Sequence, residues 1–238
     1  MLLWTAGIAA LVAAFGIWKE KGPRTFTAAQ QQQITDWEYG QRWRELPAGT
    51  IFPAAASYAP PEALDDDPSL TLAAQRIGIA GQTSCASATD PTAAAMLDGA
   101  GCSAMLRATY VDETDSFVVT VGAAVLPTAA KAQTAARAVD GAGARAGLGP
   151  TVRTARFPGT PAGEFTDRQR QLSGAAARGT YVVLYTVGYA DGRPKENVRQ
   201  DAYTTAEMTS MGTGLANDVL SALAAPVPPP HCPGVPGC

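Results

Sequence analysis

The run YVVLYTVGY, Tyr181 to Tyr189, constrains the fold more than any other stretch of the chain. Its period of two puts Tyr181, Val183, Tyr185, Val187 and Tyr189 on one face, with Val182, Leu184 and Thr186 on the other. A strand apolar on both faces belongs at the centre of a sheet and needs cover on both sides, or nearly so. Asp191-Gly192 supplies the turn that closes it.

A second strand, Phe117 to Leu126 (FVVTVGAAVL), is equally dense in β-branched residues. It follows an alternating run, Cys102 to Val111, in which Ala104, Leu106, Ala108 and Tyr110 share one face and Arg107 and Thr109 the other. The short polar turn Asp112-Glu113-Thr114-Asp115 joins the two as a hairpin. Val152 to Phe157 and Phe165 to Leu172 read as further strands, the latter at an edge.

Helices fill the intervals. Asp90-Pro91 opens a short one that Gly99 and Gly101 stop. Thr128 to Val139 is Ala-rich, and the glycine-rich stretch 141–150 after it reads as a loop. Thr204 to Leu223 carries Met208, Met211, Leu215, Val219 and Leu223 at steps of three or four, the stripe of a helix lying on a sheet. The acidic run Asp65-Asp66-Asp67 before Pro68 reads as the start of a helix over the apolar segment SLTLAAQRIGIA. The resulting expectation is an α+β two-layer sandwich, an antiparallel or mixed sheet of about five strands with helices on one face.

Residues 2–18, LLWTAGIAALVAAFGIW, contain no charge and have Trp4 and Trp18 at their ends, so they read as a transmembrane anchor. No small-x-small cleavage site follows, which favours an uncleaved helix over a signal peptide. Lys19, Lys21 and Arg24 argue for a cytoplasmic C-terminal side, whereas the cysteines, all placed after the helix, argue for export. The expected order is an anchor at 1–18, a juxtamembrane stalk at 19–67, an extracytoplasmic α+β domain at 68–225 and a proline-rich tail at 226–238. Within the stalk, residues 27–46 read as helical, and Trp37, Tyr39 and Trp43 are candidate partner contacts. The Pro-punctuated stretch after them reads as an extended connector.

The four cysteines, Cys85, Cys102, Cys232 and Cys238, suit disulfides in an exported protein. Local pairing, Cys85–Cys102 and Cys232–Cys238, is the expected connectivity, with a Cys85–Cys238 link as the alternative. A Cys85–Cys102 bridge closes a loop of about 18 residues, worth about 3 kcal/mol in the chain-entropy account.

The single histidine, His231, lies in the tail, so a zinc site built on several histidines is excluded. A net charge of −3 without clustered Lys or Arg gives no footprint for nucleic acid. The candidate acids Asp112, Glu113, Asp115, Glu164, Asp167 and Asp191 fall mostly at turns, where such residues serve backbone conformation. Ser173 lacks the glycine spacing of a nucleophile elbow. Arg107 stands alone as a charged residue in mid-strand. No catalytic residue, cofactor or metal is expected.

The segments SC…GC, LRATYVD and VTVGAAVLP from Ser84 to Leu126, with the YADGR turn, resemble uncharacterised actinobacterial membrane-anchored extracytoplasmic proteins. That resemblance implies an N-terminal anchor and an exported domain, and brings no activity with it. The sequence therefore favours a non-catalytic module that contacts an envelope protein or component. A small-molecule or lipid-binding module is the alternative, and a carboxylate-dependent envelope hydrolase the more remote one.

Overall fold

The central hairpin forms as its alternation dictates. In the computed structural model, which describes residues 27–59, 61, 71–146, 148–197 and 201–225, β3 (Ala104–Asp112) pairs antiparallel with β4 (Phe117–Val125). β4 then pairs with β6 (Tyr181–Tyr189), so the two strands apolar on both faces lie side by side in the middle of the sheet. The full antiparallel sheet has six strands in the order β1-β2-β3-β4-β6-β5, where β1 is Ala55–Tyr58, β2 Leu72–Thr83 and β5 Arg170–Arg178.

Helices cover both faces, and this corrects the expected one-sided layer. On the first face, Val119, Val121, Val183 and Val187 meet the apolar stripe of α6 (Ala202–Leu223), including Met208, Met211 and Leu215. On the second, Val182 and Leu184 pack against α4 (Pro91–Ala100) and α5 (Ala129–Ala146) through Leu97, Ala132 and Val139. The cause is visible in the central strands: both faces of β4 and β6 are buried throughout, apart from the terminal Tyr189, so apolar cover on one side alone would leave the other wet.

Helix ends follow local chemistry. Asp90 accepts the Ala93 N–H at 3.0 Å, Pro91 opens α4, and Gly101 ends it at φ +87°. Asp201 caps α6 by accepting the Thr204 N–H at 2.7 Å. Cys85 and Cys102 form a disulfide that joins the four-residue helix α3 (Cys85–Ala88) to the residue leading into β3.

Four segments depart from the sequence reading. The apolar run after Pro68 is strand β2, because Leu72, Ile77 and Ile79 find partners on the sheet once β3 is in place. The Pro-punctuated stretch contains α2 (Ala48–Ile51) and β1, and buries Ile51 and Phe52. Phe165 to Leu172 is not one strand: a 3-10 turn, Pro161–Glu164, and a bend precede β5. Val152 to Phe157 forms no strand in the sheet; only Val152 makes a bridge, to Thr89.

Residues 149–157 instead cross the second face as a strap. The Ala155 N–H donates to Thr120 Oγ1 at 3.2 Å, and Thr109 Oγ1 donates to the Ala155 carbonyl at 2.7 Å. The Thr109 proton is thereby spent, so the 2.8 Å contact between the two hydroxyls has Thr120 donating. Thr151 Oγ1 donates to the Tyr185 carbonyl at 2.8 Å. Close approach requires glycine in the strands beneath: a Cβ on Gly122 would lie 2.7 Å from Val152, and one on Gly78 2.4 Å from the Phe157 ring.

The compact unit runs Asp36–Ala225. Helix α1 spans Ala28–Glu45, and its residues up to Thr35 belong to the other unit; there Thr27 Oγ1 caps the helix by accepting the Gln30 N–H at 3.3 Å. The expected anchor at 2–18, the acidic run Asp65–Asp67 and the tail with His231, Cys232 and Cys238 lie outside the described residues. Among those described, no helix is long and apolar enough to cross a membrane.

Candidate functional site

The aromatic residues of α1 separate into different roles. Trp43 is buried in the core at 8 % exposure, and Tyr39 packs half-buried against the same cluster. The Tyr181 hydroxyl donates to the Tyr39 carbonyl, and Arg42 donates to the Ala225 carbonyl at 2.9 Å beyond the end of α6. These contacts fix the helix to the body of the domain, so Trp43 is a structural residue and not an open partner contact. Trp37 is different: it remains 66 % exposed, more than any other large apolar side chain described. It borders a notch of about 230 Å³ between α1 and the neighbouring ends of β3 and β4, whose rim also carries Asp36, Gln41 and Arg44. The Arg44 guanidinium lies 4.8 Å over the Trp43 ring, which holds a cation at this rim.

The candidate acids are engaged in local structure. Asp112 is buried and accepts the Phe117 N–H at 2.6 Å, the Thr114 N–H at 3.1 Å and the Thr114 hydroxyl, which shapes the β3–β4 turn. Asp115 occupies the left-handed position of that turn at φ +54°, and Glu113 is exposed beside it. Asp167 accepts the Thr154 N–H at 3.1 Å and lies 3.5 Å from Arg153, holding the strap. Glu164 is exposed on its 3-10 turn, and Asp191 pairs with Arg193. That bond lowers the Asp191 carboxyl below its ordinary range.

Ser173 and Arg107 also serve the strap. Ser173 Oγ accepts the Gly149 N–H at 3.0 Å and donates to its carbonyl at 3.2 Å. Arg107, half-buried in mid-strand, donates to the Arg153 carbonyl at 3.2 Å. Burial lowers its basicity, with Asp167 opposing that effect. Its Nε is buried without a partner among the described residues.

A larger groove, about 910 Å³, runs between the edge strand β1 and helix α6. Its α6 wall is small and hydroxylated, with Thr205, Thr209, Ser210 and Gly214 along it and Asp218 at the far end. Gly214 is required there, since a Cβ would lie 2.6 Å from that of Tyr58. Burial and the charges of Asp112, Glu207 and Glu113 push the Tyr58 phenol upward. Burial raises both the Asp218 and Glu207 carboxyls, and Asp112 adds to the second. This groove goes unanticipated in the sequence reading, which places no strand at β1 or β2; the alternation that turns Ala56 and Tyr58 inward was the available signal.

No described group of three or more His, Cys, Asp or Glu residues could hold a metal ion. No protein-family model, curated protein or solved structure matches the chain.

Proposed function

We propose that this chain is a membrane-anchored extracytoplasmic domain that binds another protein of the envelope, with Trp37 as the side chain presented to it. The exposed Trp37 at the rim of the α1 notch carries the reading. A tryptophan left in water forgoes the burial of a large apolar ring, and such residues supply much of the energy at protein interfaces. The polar rim of Asp36, Gln41 and Arg44 around it suits a contact whose centre is apolar and whose edge stays wet. The Cys85–Cys102 disulfide supports an oxidising compartment, and the uncharged segment 2–18 supports an anchor.

The test uses intact cells making the full chain. A membrane-impermeant maleimide should label the cysteines only after reduction, and a photo-crosslinker replacing Trp37 should trap a protein adduct that the same group at the exposed Arg137 does not. Labelling that requires lysis but no reductant would overturn the export reading. Equal adducts from both positions would overturn the role of Trp37.

A further inference from the structure

Among the described residues β1 ends the sheet, and its outer edge can be located from its pairing. Ala54 accepts the Arg76 N–H at 2.9 Å, and the register places Ala56 opposite Ala74 and Tyr58 opposite Leu72. In an antiparallel ladder, residues alternate between bonding to the neighbour and facing away from it. Residues 54, 56 and 58 therefore bond to β2, and Ala55 and Ser57 direct their N–H and C=O groups outward. Both are exposed. The next outward carbonyl, that of Ala59, accepts the Ser210 hydroxyl from α6, so the helix flanks this edge and closes one end of it.

An open edge beside a helix is the arrangement into which an extended chain adds as a strand, its backbone bonding to the edge and alternate side chains entering the groove. The charge of the groove selects among such chains. Asp218 lines it, Glu207 and Asp112 act on Tyr58 from nearby, and no Lys or Arg is among the described lining residues. An acidic segment would be repelled. A second copy of this chain would bring the same carboxylates to its own edge, which disfavours pairing β1 with β1.

We propose that the β1–α6 groove binds an extended peptide segment of a partner protein, which adds to the outward groups of Ala55 and Ser57 and places a Lys or Arg against Asp218. This site shares no residue with the Trp37 notch, so it stands or falls independently of the contact assigned to Trp37.

The test is selection of short random peptides from a display library on the full chain in detergent micelles, followed by fluorescence anisotropy with a synthetic form of an enriched peptide. The enriched sequences should share a basic residue at one position among β-branched neighbours. Binding should weaken about tenfold or more in Asp218→Asn, as expected when a charge pair at an interface loses one partner. Ser57→Pro should weaken it too, because it deletes an outward N–H while sparing the β2 ladder. Thr209→Trp, at an exposed site on α6, should block the groove without touching the core, and covers the case in which Ser57→Pro fails to fold. Failure to enrich any peptide, enrichment of acidic ones, or equal binding by all variants would overturn the proposal. So would sedimentation showing that the chain dimerises and that Ser57→Pro or Thr209→Trp abolishes the dimer, since the occupant would then be a second copy.

Discussion

Individual residues in this domain are chosen by what crosses above them. Gly122 lies in a central strand where a β-branched residue would ordinarily be favoured, yet Val152 of the strap occupies the space a side chain would need. Gly122→Ala should therefore lower stability by about 1–3 kcal/mol, the usual cost of overpacking. Adding Val152→Ala should return part of that loss, because the obstructing atom is the Val152 methyl group. Urea unfolding of the two single variants and the double variant measures the coupling, and strict additivity would contradict the contact. Gly188 offers no such relief: a Cβ there would lie 2.4 Å from the backbone carbonyl oxygen of Gln169. The need for glycine at position 122 was not legible in the sequence, since residues 152–157 read as a strand of the sheet and not as a segment lying over it.

At the scale of elements, Asp90 joins three parts of the fold with one carboxylate. It caps α4 through the Ala93 N–H, accepts the Thr151 N–H of the strap at 2.7 Å, and lies 3.4 Å from Arg170 at the start of β5. Its capping role could be read from Asp-Pro before an Ala-rich run, whereas its partners 61 and 80 residues away could not. Asp90→Ala should cost about 2 kcal/mol or more, as loss of the cap adds to a strap amide and an arginine left without their acceptor. Asp90→Asn keeps the capping oxygen toward Ala93 but turns its NH2 toward the Thr151 N–H and Arg170, so it should be milder than Asp90→Ala only by the worth of the cap. Thermal and urea unfolding of both variants checks the order; equal costs would mean that the cap adds nothing to the contacts with Thr151 and Arg170. The hairpin of β3 and β4, the start of α4 and the buried stripe of α6 were legible because each rests on local periodicity or capping. Strand β2 was not, since a helix start and a strand fit the same apolar composition until a partner strand is present.

Across the whole molecule, the sheet buries phenols on the α6 face. Tyr181 is pushed up to about 12, chiefly by burial, and Tyr58, Tyr110 and Tyr185 are also raised chiefly by burial. Each folded-state pKa thus lies above the unfolded value near 10.0. As pH rises past that value, the unfolded chain releases phenolic protons that the folded chain keeps, so the folded state binds more protons and loses stability with increasing pH. Stability should be insensitive to these groups below the unfolded value and fall progressively above it. Parallel alkaline titrations by tyrosinate absorbance and far-UV circular dichroism should show these phenols ionising together with unfolding. Ionisation well before the loss of ellipticity would contradict their burial.

The sequence by itself determined the class of the fold, the central strands and the helix that packs on them, because side-chain period and capping residues act over a few residues; it left the partner of Cys85 open between Cys102 and Cys238, and the structure joins it to Cys102. It also contained the reason for two-sided cover, in strands apolar on both faces, although the helices were placed on one side only. Tertiary structure alone decided which segment became a strap, which strand was left at the edge, and which of three aromatic residues on α1 stayed in water. Those outcomes depend on what else occupies the same space, and hydrogen-bond partners and packing neighbours far apart in the chain become definite only when the sheet is assembled.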